Sequence, residues 1–122
     1  MDRFFFIAGA LSSLVGVALG AFGAHALRAR LGVDMIRVWE TGVHYQTMHA
    51  LALLITSFAA ARFPTGPVYA AGTCFLLGTL FFSGSLYLLS TMGWRWLGPV
   101  TPIGGLLFMI GWALLVIAAL RA

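Results

Sequence analysis

Histidines are the side chains in this sequence best suited to chemistry, and there are three of them: His25, His44 and His49. An imidazole can relay protons or ligate a metal or a haem iron. A haem would need two of the three imidazoles to face each other, and it is the one cofactor left open. The acidic residues number three, too few for a paired-carboxylate site or for the buried acid of a Ser/His/Asp triad. We therefore expect no catalytic residue, no metal and no other cofactor.

Polar residues recur at helical spacing around His49. Thr41, Tyr45 and His49 follow one another every four residues, on one line of a helix, with Gln46 beside that line. Polar groups deep in a bilayer are destabilising unless they are paired, so they suggest a functional site. The alternative is a packing role, with a neutral His49 hydrogen-bonded to a hydroxyl of the third apolar segment. The predicted polar site within the membrane consists of His25, Thr41, Tyr45, Gln46, His49, Ser83, Ser85, Tyr87 and Thr101.

Glycines gather on one face of the first apolar segment. Small residues let two helix backbones approach closely, and van der Waals contact then drives helix association in lipid. This face fits two uses, packing inside the protein or contact with another subunit. The predicted helix-packing residues are Gly9, Gly16, Gly20 and Gly23.

Arginines provide all of the positive charge of the chain, whose formal net charge is +4. They lie at the ends of the apolar segments, where lipid phosphates are found. No basic stripe lies outside those segments, so we expect no nucleic-acid partner. We predict a lipid headgroup or anion site, with ordinary interfacial anchoring as the alternative, at Arg28, Arg30, Arg37 and Arg95.

Four long apolar segments must position these residues: 4–27, 35–61, 67–89 and 102–120. Hydrophobic residues make up 61% of the chain and charged residues 8%, whereas soluble domains contain about 25% charged residues. Each segment is close to the roughly 20 residues that cross a bilayer, and lipid favours helices because they satisfy their own backbone hydrogen bonds. We therefore predict an all-α fold. It is an integral membrane four-helix bundle, up-down-up-down with short loops, in a single transmembrane domain over residues 1–122.

Four motifs occur in order over nearly the whole chain. They are LGAFGAH at 19–25; TG at 41–42 with YQ at 45–46 and HALA at 49–52; GT at 78–79 with FSGSLY at 82–87; and TPIGG at 101–105 with GW at 111–112. These motifs resemble those of the family of small bacterial inner-membrane proteins typified by YgdD, a domain of unknown function. The resemblance implies a multi-pass protein of the bacterial inner membrane, and it offers no reaction, substrate or catalytic residue.

Together these features predict a small membrane protein, more a binding protein than an enzyme, that associates with itself or with a membrane protein partner. Membrane lipids are the other expected partner, bound on the side of the first and third connections. One alternative is a transporter or channel for small solutes, protons or ions that uses the face of Tyr45, Gln46 and His49. A second alternative is a haem or redox membrane protein.

Overall fold

The fold is all-α in the computed structural model, which describes residues 2–122. A π-helical turn, Gly23–Leu27, continues the first helix, and a 3-10 turn, Arg95–Leu97, precedes the last. The connections are short, so consecutive helices run antiparallel, up-down-up-down, as predicted. The helices are α1 (Asp2–Phe22), α2 (Val33–Arg62), α3 (Gly66–Met92) and α4 (Val100–Arg121).

The helix ends lie close to the predicted ones, and local chemistry explains two of them. α3 begins with Gly66 and Pro67 in its first turn, where the N–H that proline lacks would have no partner in the helix. It runs past the predicted end at residue 89 to Met92, and Gly93 then ends it with a φ of 70°. Glycine takes this left-handed conformation without steric strain.

Among the described residues, three stretches are long and apolar enough to cross a membrane: Asp2–Leu27, Gly66–Met92 and Arg95–Arg121. α2 was predicted as a fourth such stretch, but its polar residues lower its hydropathy below that of the others. Four of these polar side chains are buried, whereas four large apolar side chains of α2 are exposed. The buried ones are Gln46, His49, Thr56 and Ser57; the exposed ones are Met48, Leu51, Ile55 and Phe58.

Each helix packs mainly on the helices next to it in sequence: α1 on α2, α2 on α3, and α3 on α4. Side chains also connect helices that are not consecutive. The Phe5 ring of α1 packs on Gly72 of α3, and Trp112 of α4 is hydrogen-bonded to His49 of α2. α2 and α3 are therefore the two helices that contact all the others.

Aromatic rings pack directly on glycines at five places between the helices. At each place a Cβ atom on the glycine would overlap the ring, so the ring needs the bare backbone. Close contact of this kind suits helices in lipid, where apolar burial between helices contributes little. The pairs are Phe5 with Gly72, Trp39 with Gly23, Tyr87 with Gly42, Phe108 with Gly78, and Phe75 with Gly111.

The α3–α4 contact predicts opposite effects for two adjacent glycines. A methyl group on Gly104 would lie 2.8 Å from the Phe82 Cα, whereas one on Gly105 would lie 3.7 Å from the Phe82 ring. We expect Gly104→Ala to lower the free energy of unfolding by roughly 1–3 kcal/mol, as overpacking does.

Gly105→Ala is the matched control. Alanine has a higher helix propensity than glycine by about 1 kcal/mol in both variants, and only at Gly104 does its methyl group overlap a neighbouring residue. Reversible unfolding in mixed detergent micelles measures the difference between them. Equal stability of the two variants would contradict the close backbone contact at Gly104.

Candidate functional site

The buried polar side chains form two clusters on different sides of α2. The Gln46 cluster, formed by Ser12, Trp39, Gln46, Ser83 and Tyr87, faces α1 and α3. The His49 cluster, formed by Tyr45, His49, Phe108 and Trp112, faces α4. The sequence had suggested one polar face that includes Tyr45, Gln46 and His49, but the structure directs Gln46 away from the other two.

Gln46 connects three helices through one side chain that is 5% exposed. Its Nε2 donates to the Ser12 carbonyl of α1 at 2.9 Å, and its Oε1 accepts from the Tyr87 hydroxyl of α3 at 2.6 Å. An amide side chain offers both a donor and an acceptor, which a hydroxyl cannot do with the same reach. Ser83 adds a second link, since its hydroxyl donates to the Gly42 carbonyl of α2 at 2.7 Å.

Trp39 completes the Gln46 cluster at the π-helical turn. Its indole Nε1 donates to the Leu19 carbonyl of α1 at 3.0 Å, and its ring packs against Tyr87 with centroids 4.7 Å apart. Gly23 leaves the space for the indole. Sequence reasoning missed Trp39, although a buried tryptophan needs an acceptor for its N–H and the glycines of α1 marked where it could pack.

His49 has a single protonation pattern that fits its partners. The Trp112 indole can only donate, and it does so to the His49 Nε2 at 3.0 Å. The Nε2 must therefore be the bare nitrogen, and the Nδ1 carries the proton and donates to the Tyr45 carbonyl at 2.9 Å. This neutral ring is 2% exposed and stacks on Phe108 with centroids 3.6 Å apart and an angle of 6° between the planes.

These contacts support the packing alternative for His49, with the Trp112 indole of α4 in place of the predicted hydroxyl. Both ring nitrogens form hydrogen bonds, so neither presents a free lone pair to a haem iron. His25 and His44 are exposed and do not join His49. No group of three or more His, Cys, Asp or Glu side chains that could hold a metal ion occurs within residues 2–122.

The remaining residues of the predicted polar site lie apart from both clusters. Ser85 and Thr101 form their own pair, which joins α3 to α4. Since the Ser85 hydroxyl donates to the Phe82 carbonyl at 2.8 Å, Thr101 is the donor within that pair. Thr41 donates to the Arg37 carbonyl of its own helix at 2.9 Å. His25 is exposed on the π-helical turn.

The predicted helix-packing glycines all face α2. Cβ atoms on them would lie against Ala50 and its neighbours at Gly9, Thr47 at Gly16, Val43 at Gly20 and Trp39 at Gly23. Of the two uses that the sequence left open, packing inside the protein is the one these contacts support. The face is covered by α2 and is not open to another subunit.

Two of the four predicted arginines share a groove at the start of α2. This groove of about 380 Å³ is lined by Arg28, Leu31, Val33, Ile36, Arg37 and Glu40. Arg28 pairs with Glu40 at 3.3 Å, and their side chains are 63% and 57% exposed. Arg30 is exposed and does not line the groove. Arg95 lies between Trp94 and Trp96, whose rings stack in the α3–α4 connection.

The family model "Protein of unknown function (DUF423)" matches residues 19–105 of the chain. The chain belongs to the DUF423 family. The matched part of this DUF423 protein includes all of α2 and α3, and with them Trp39, Gln46, His49 and Tyr87.

Relatives of this DUF423 protein are named as membrane proteins. The UPF0382 membrane protein YwdK of Bacillus subtilis is 42% identical over 120 residues, which cover 98% of both chains. The UPF0382 membrane protein SH2409 of Staphylococcus haemolyticus is 44% identical over 119 residues, 98% of this chain and 97% of that protein. No solved structure matches the chain. With its apolar helices, this DUF423 protein is a membrane protein, from a family whose function is unknown.

The Gln46 cluster predicts a non-additive mutant cycle. Gln46→Met removes both hydrogen bonds with little change in shape, and we expect it to lower the free energy of unfolding by about 1–3 kcal/mol, because a single bond between helices in membranes contributes about 0.6 kcal/mol on average and about 1.7 at most. Tyr87→Phe should then be less destabilising in the Gln46→Met background, because its hydroxyl has already lost its acceptor. Unfolding in mixed micelles measures all four proteins. Strictly additive effects would contradict the Gln46–Tyr87 bond.

The His49 cluster predicts one histidine tautomer that depends on Trp112. We expect ¹⁵N NMR of histidine-labelled protein to show a His49 ring that is protonated at Nδ1 and bare at Nε2. Trp112→Phe should move the Nε2 resonance because it removes the donor, whereas Trp96→Phe, in the α3–α4 connection, should leave it in place. A His49 signal that does not respond to Trp112→Phe would contradict the hydrogen bond.

Proposed function

We propose that this DUF423 protein is a non-catalytic, multi-pass protein of the bacterial inner membrane that binds anionic phospholipid. The proposed site lies at the end that contains the α1–α2 and α3–α4 connections. One observation supports it most strongly: Arg28 and Arg37 line a single groove with the apolar side chains of Leu31, Val33 and Ile36. A lipid phosphate with its acyl chain needs this combination of positive charge and apolar surface.

The two guanidinium groups of the groove differ in their pairing. Arg28 pairs with Glu40, but exposed ion pairs contribute only about 0–1 kcal/mol, so Arg28 can exchange Glu40 for a phosphate at little loss. Within residues 2–122 the Arg37 guanidinium forms no ion pair. A guanidinium binds phosphate through two parallel hydrogen bonds. We therefore assign Arg37 as the main phosphate ligand and Arg28 as the second.

The position of the groove in the membrane is supported by aromatic residues at the same end. Trp94 and Trp96 are exposed there, and tryptophans concentrate where headgroups meet the hydrocarbon. Arg62 and Arg121 end α2 and α4 at the opposite end. The apolar helices between these two levels, with the apolar outer side of α2, support a multi-pass topology. The bacterial relatives and the four motifs support the inner membrane and a grouping with the YgdD-like members of the family.

Association with a second copy or with another membrane protein is part of the same proposal. The glycine face of α1 is covered by α2, so a partner would have to bind elsewhere. Large apolar side chains are exposed along α1 and α4, among them Leu14, Val17, Val116 and Leu120. These outer faces are the surfaces that we propose for such a contact.

Native mass spectrometry of the protein released gently from its own membrane tests the lipid site. We expect the wild-type protein to retain phosphatidylglycerol, and we expect Arg37→Gln to lower the retained fraction several-fold, because a charge-assisted bond to phosphate is lost. Arg62→Gln at the opposite end is the matched control and should retain lipid as the wild type does. The same spectra report the number of subunits.

Equal lipid retention by the two arginine variants would contradict a site at Arg37. A lipid-free monomer in the wild-type spectrum would contradict both lipid binding and association.

A further inference from the structure

A second groove, of about 550 Å³, opens on the outer side of α2 and α4. Its lining differs from that of the arginine groove, because it contains no charged side chain. Aromatic rings and thioethers make up most of its wall: Tyr45, Phe82, Phe108, Trp112, Met48 and Met109. Met48, Leu106 and Met109 are exposed at its rim, so the groove is open on the outer surface of the protein.

The depth of the groove places it in the hydrocarbon region. α4 has 22 residues, and at about 1.5 Å per residue it just spans a bilayer core of roughly 30 Å. Phe108 is eight residues past Val100, the first residue of α4, and so lies about 12 Å along the helix. Tyr45 packs beside Phe108 and Phe82. The lining runs from Pro102, about 3 Å along α4, to Trp112, about 18 Å along it, so most of the groove lies among acyl chains.

Tyr45 contributes the one polar atom in this groove that needs a partner. Both nitrogens of His49 and the indole N–H of Trp112 are already paired. The Tyr45 hydroxyl forms no hydrogen bond with any group in residues 2–122, although its ring lines the groove. A hydroxyl without a partner is unfavourable in hydrocarbon, where no water replaces the missing hydrogen bond. The groove thus calls for an occupant with a hydrogen-bond acceptor, which an acyl chain lacks at this depth.

The walls of the groove favour a flat ring. Aromatic side chains stack on flat π-systems, and thioethers make favourable contacts with ring edges. We propose that this groove binds a membrane-dissolved quinone, with a ring carbonyl accepting from the Tyr45 hydroxyl and the tail leaving past Leu106 and Met109. This site is separate from the arginine groove and does not depend on the proposed function.

Binding of decylubiquinone to the purified protein in detergent micelles tests the proposal. Native mass spectrometry gives the bound fraction over a titration, and hence an apparent Kd. We expect saturable binding of one molecule, weakened by about five- to tenfold in Tyr45→Phe, since one hydrogen bond is lost while the ring remains. Tyr69→Phe, a tyrosine outside the groove, is the matched control and should bind as the wild type does.

Two further measurements separate a ring-and-carbonyl site from a merely apolar one. Decylbenzene has the same tail without a carbonyl, and its binding should be weaker than that of decylubiquinone and unchanged by Tyr45→Phe. Leu106→Trp should fill the groove and abolish quinone binding while the helical circular dichroism of the protein is retained. No saturable binding, equal affinity for the two probes, or no effect of Tyr45→Phe would each overturn the proposal.

Discussion

Aromatic rings packed on glycine backbones hold these four helices together, and the remaining contacts depend on them. Helices in lipid gain little from apolar burial, so association rests on close van der Waals contact and on hydrogen bonds between helices. The rings on Gly23 and Gly42 show how the two are linked. Trp39 reaches the Leu19 carbonyl and Tyr87 reaches Gln46 only because the glycine beneath each ring lets the helices come close. The hydrogen bonds between the helices thus depend on the close packing of these rings on glycine.

α2 differs from the other helices in burying Gln46 and His49, whose polar side chains are larger than the serine hydroxyls that α3 buries. Gln46 bonds to α1 and α3, and His49 bonds to α4. The two clusters serve different neighbours, and in both every buried polar atom described above has a partner. Hydrogen bonds that are fully satisfied in this way fix the relative positions of helices whose apolar surfaces alone would permit sliding. In the groove of about 550 Å³, the Tyr45 hydroxyl is the polar group that has no partner among the described residues, and this is where we propose that a ligand binds.

Much of the fold follows from the sequence, and less of the site. Length and hydropathy place four helices to within a few residues, because lipid leaves the backbone few alternatives. Helical spacing also shows that Tyr45 and His49 share a line on α2. It also gives the angular position of Gln46 on α2, but not which helix lies at that angle. The angle between Gln46 and His49 is enough for the two side chains to face different helices. Trp39 and Trp112 were missed because each contributes a single N–H group to a hydrogen bond with another helix. The residue pattern within one helix does not show such a contact.

The inward polarity of α2 has a consequence for how the protein enters the membrane. A segment inserts on its own when its apolar side chains outweigh its polar ones, and α2 is the one long helix described here that falls short by composition. Its neighbours α1 and α3 do not have this difficulty, and they supply the Ser12 carbonyl and the Tyr87 hydroxyl that Gln46 needs. In the multi-pass topology that we propose, α2 therefore enters as part of a hairpin: α1 is already in the bilayer and supplies the Ser12 carbonyl, and the bond from Tyr87 follows once α3 has been made.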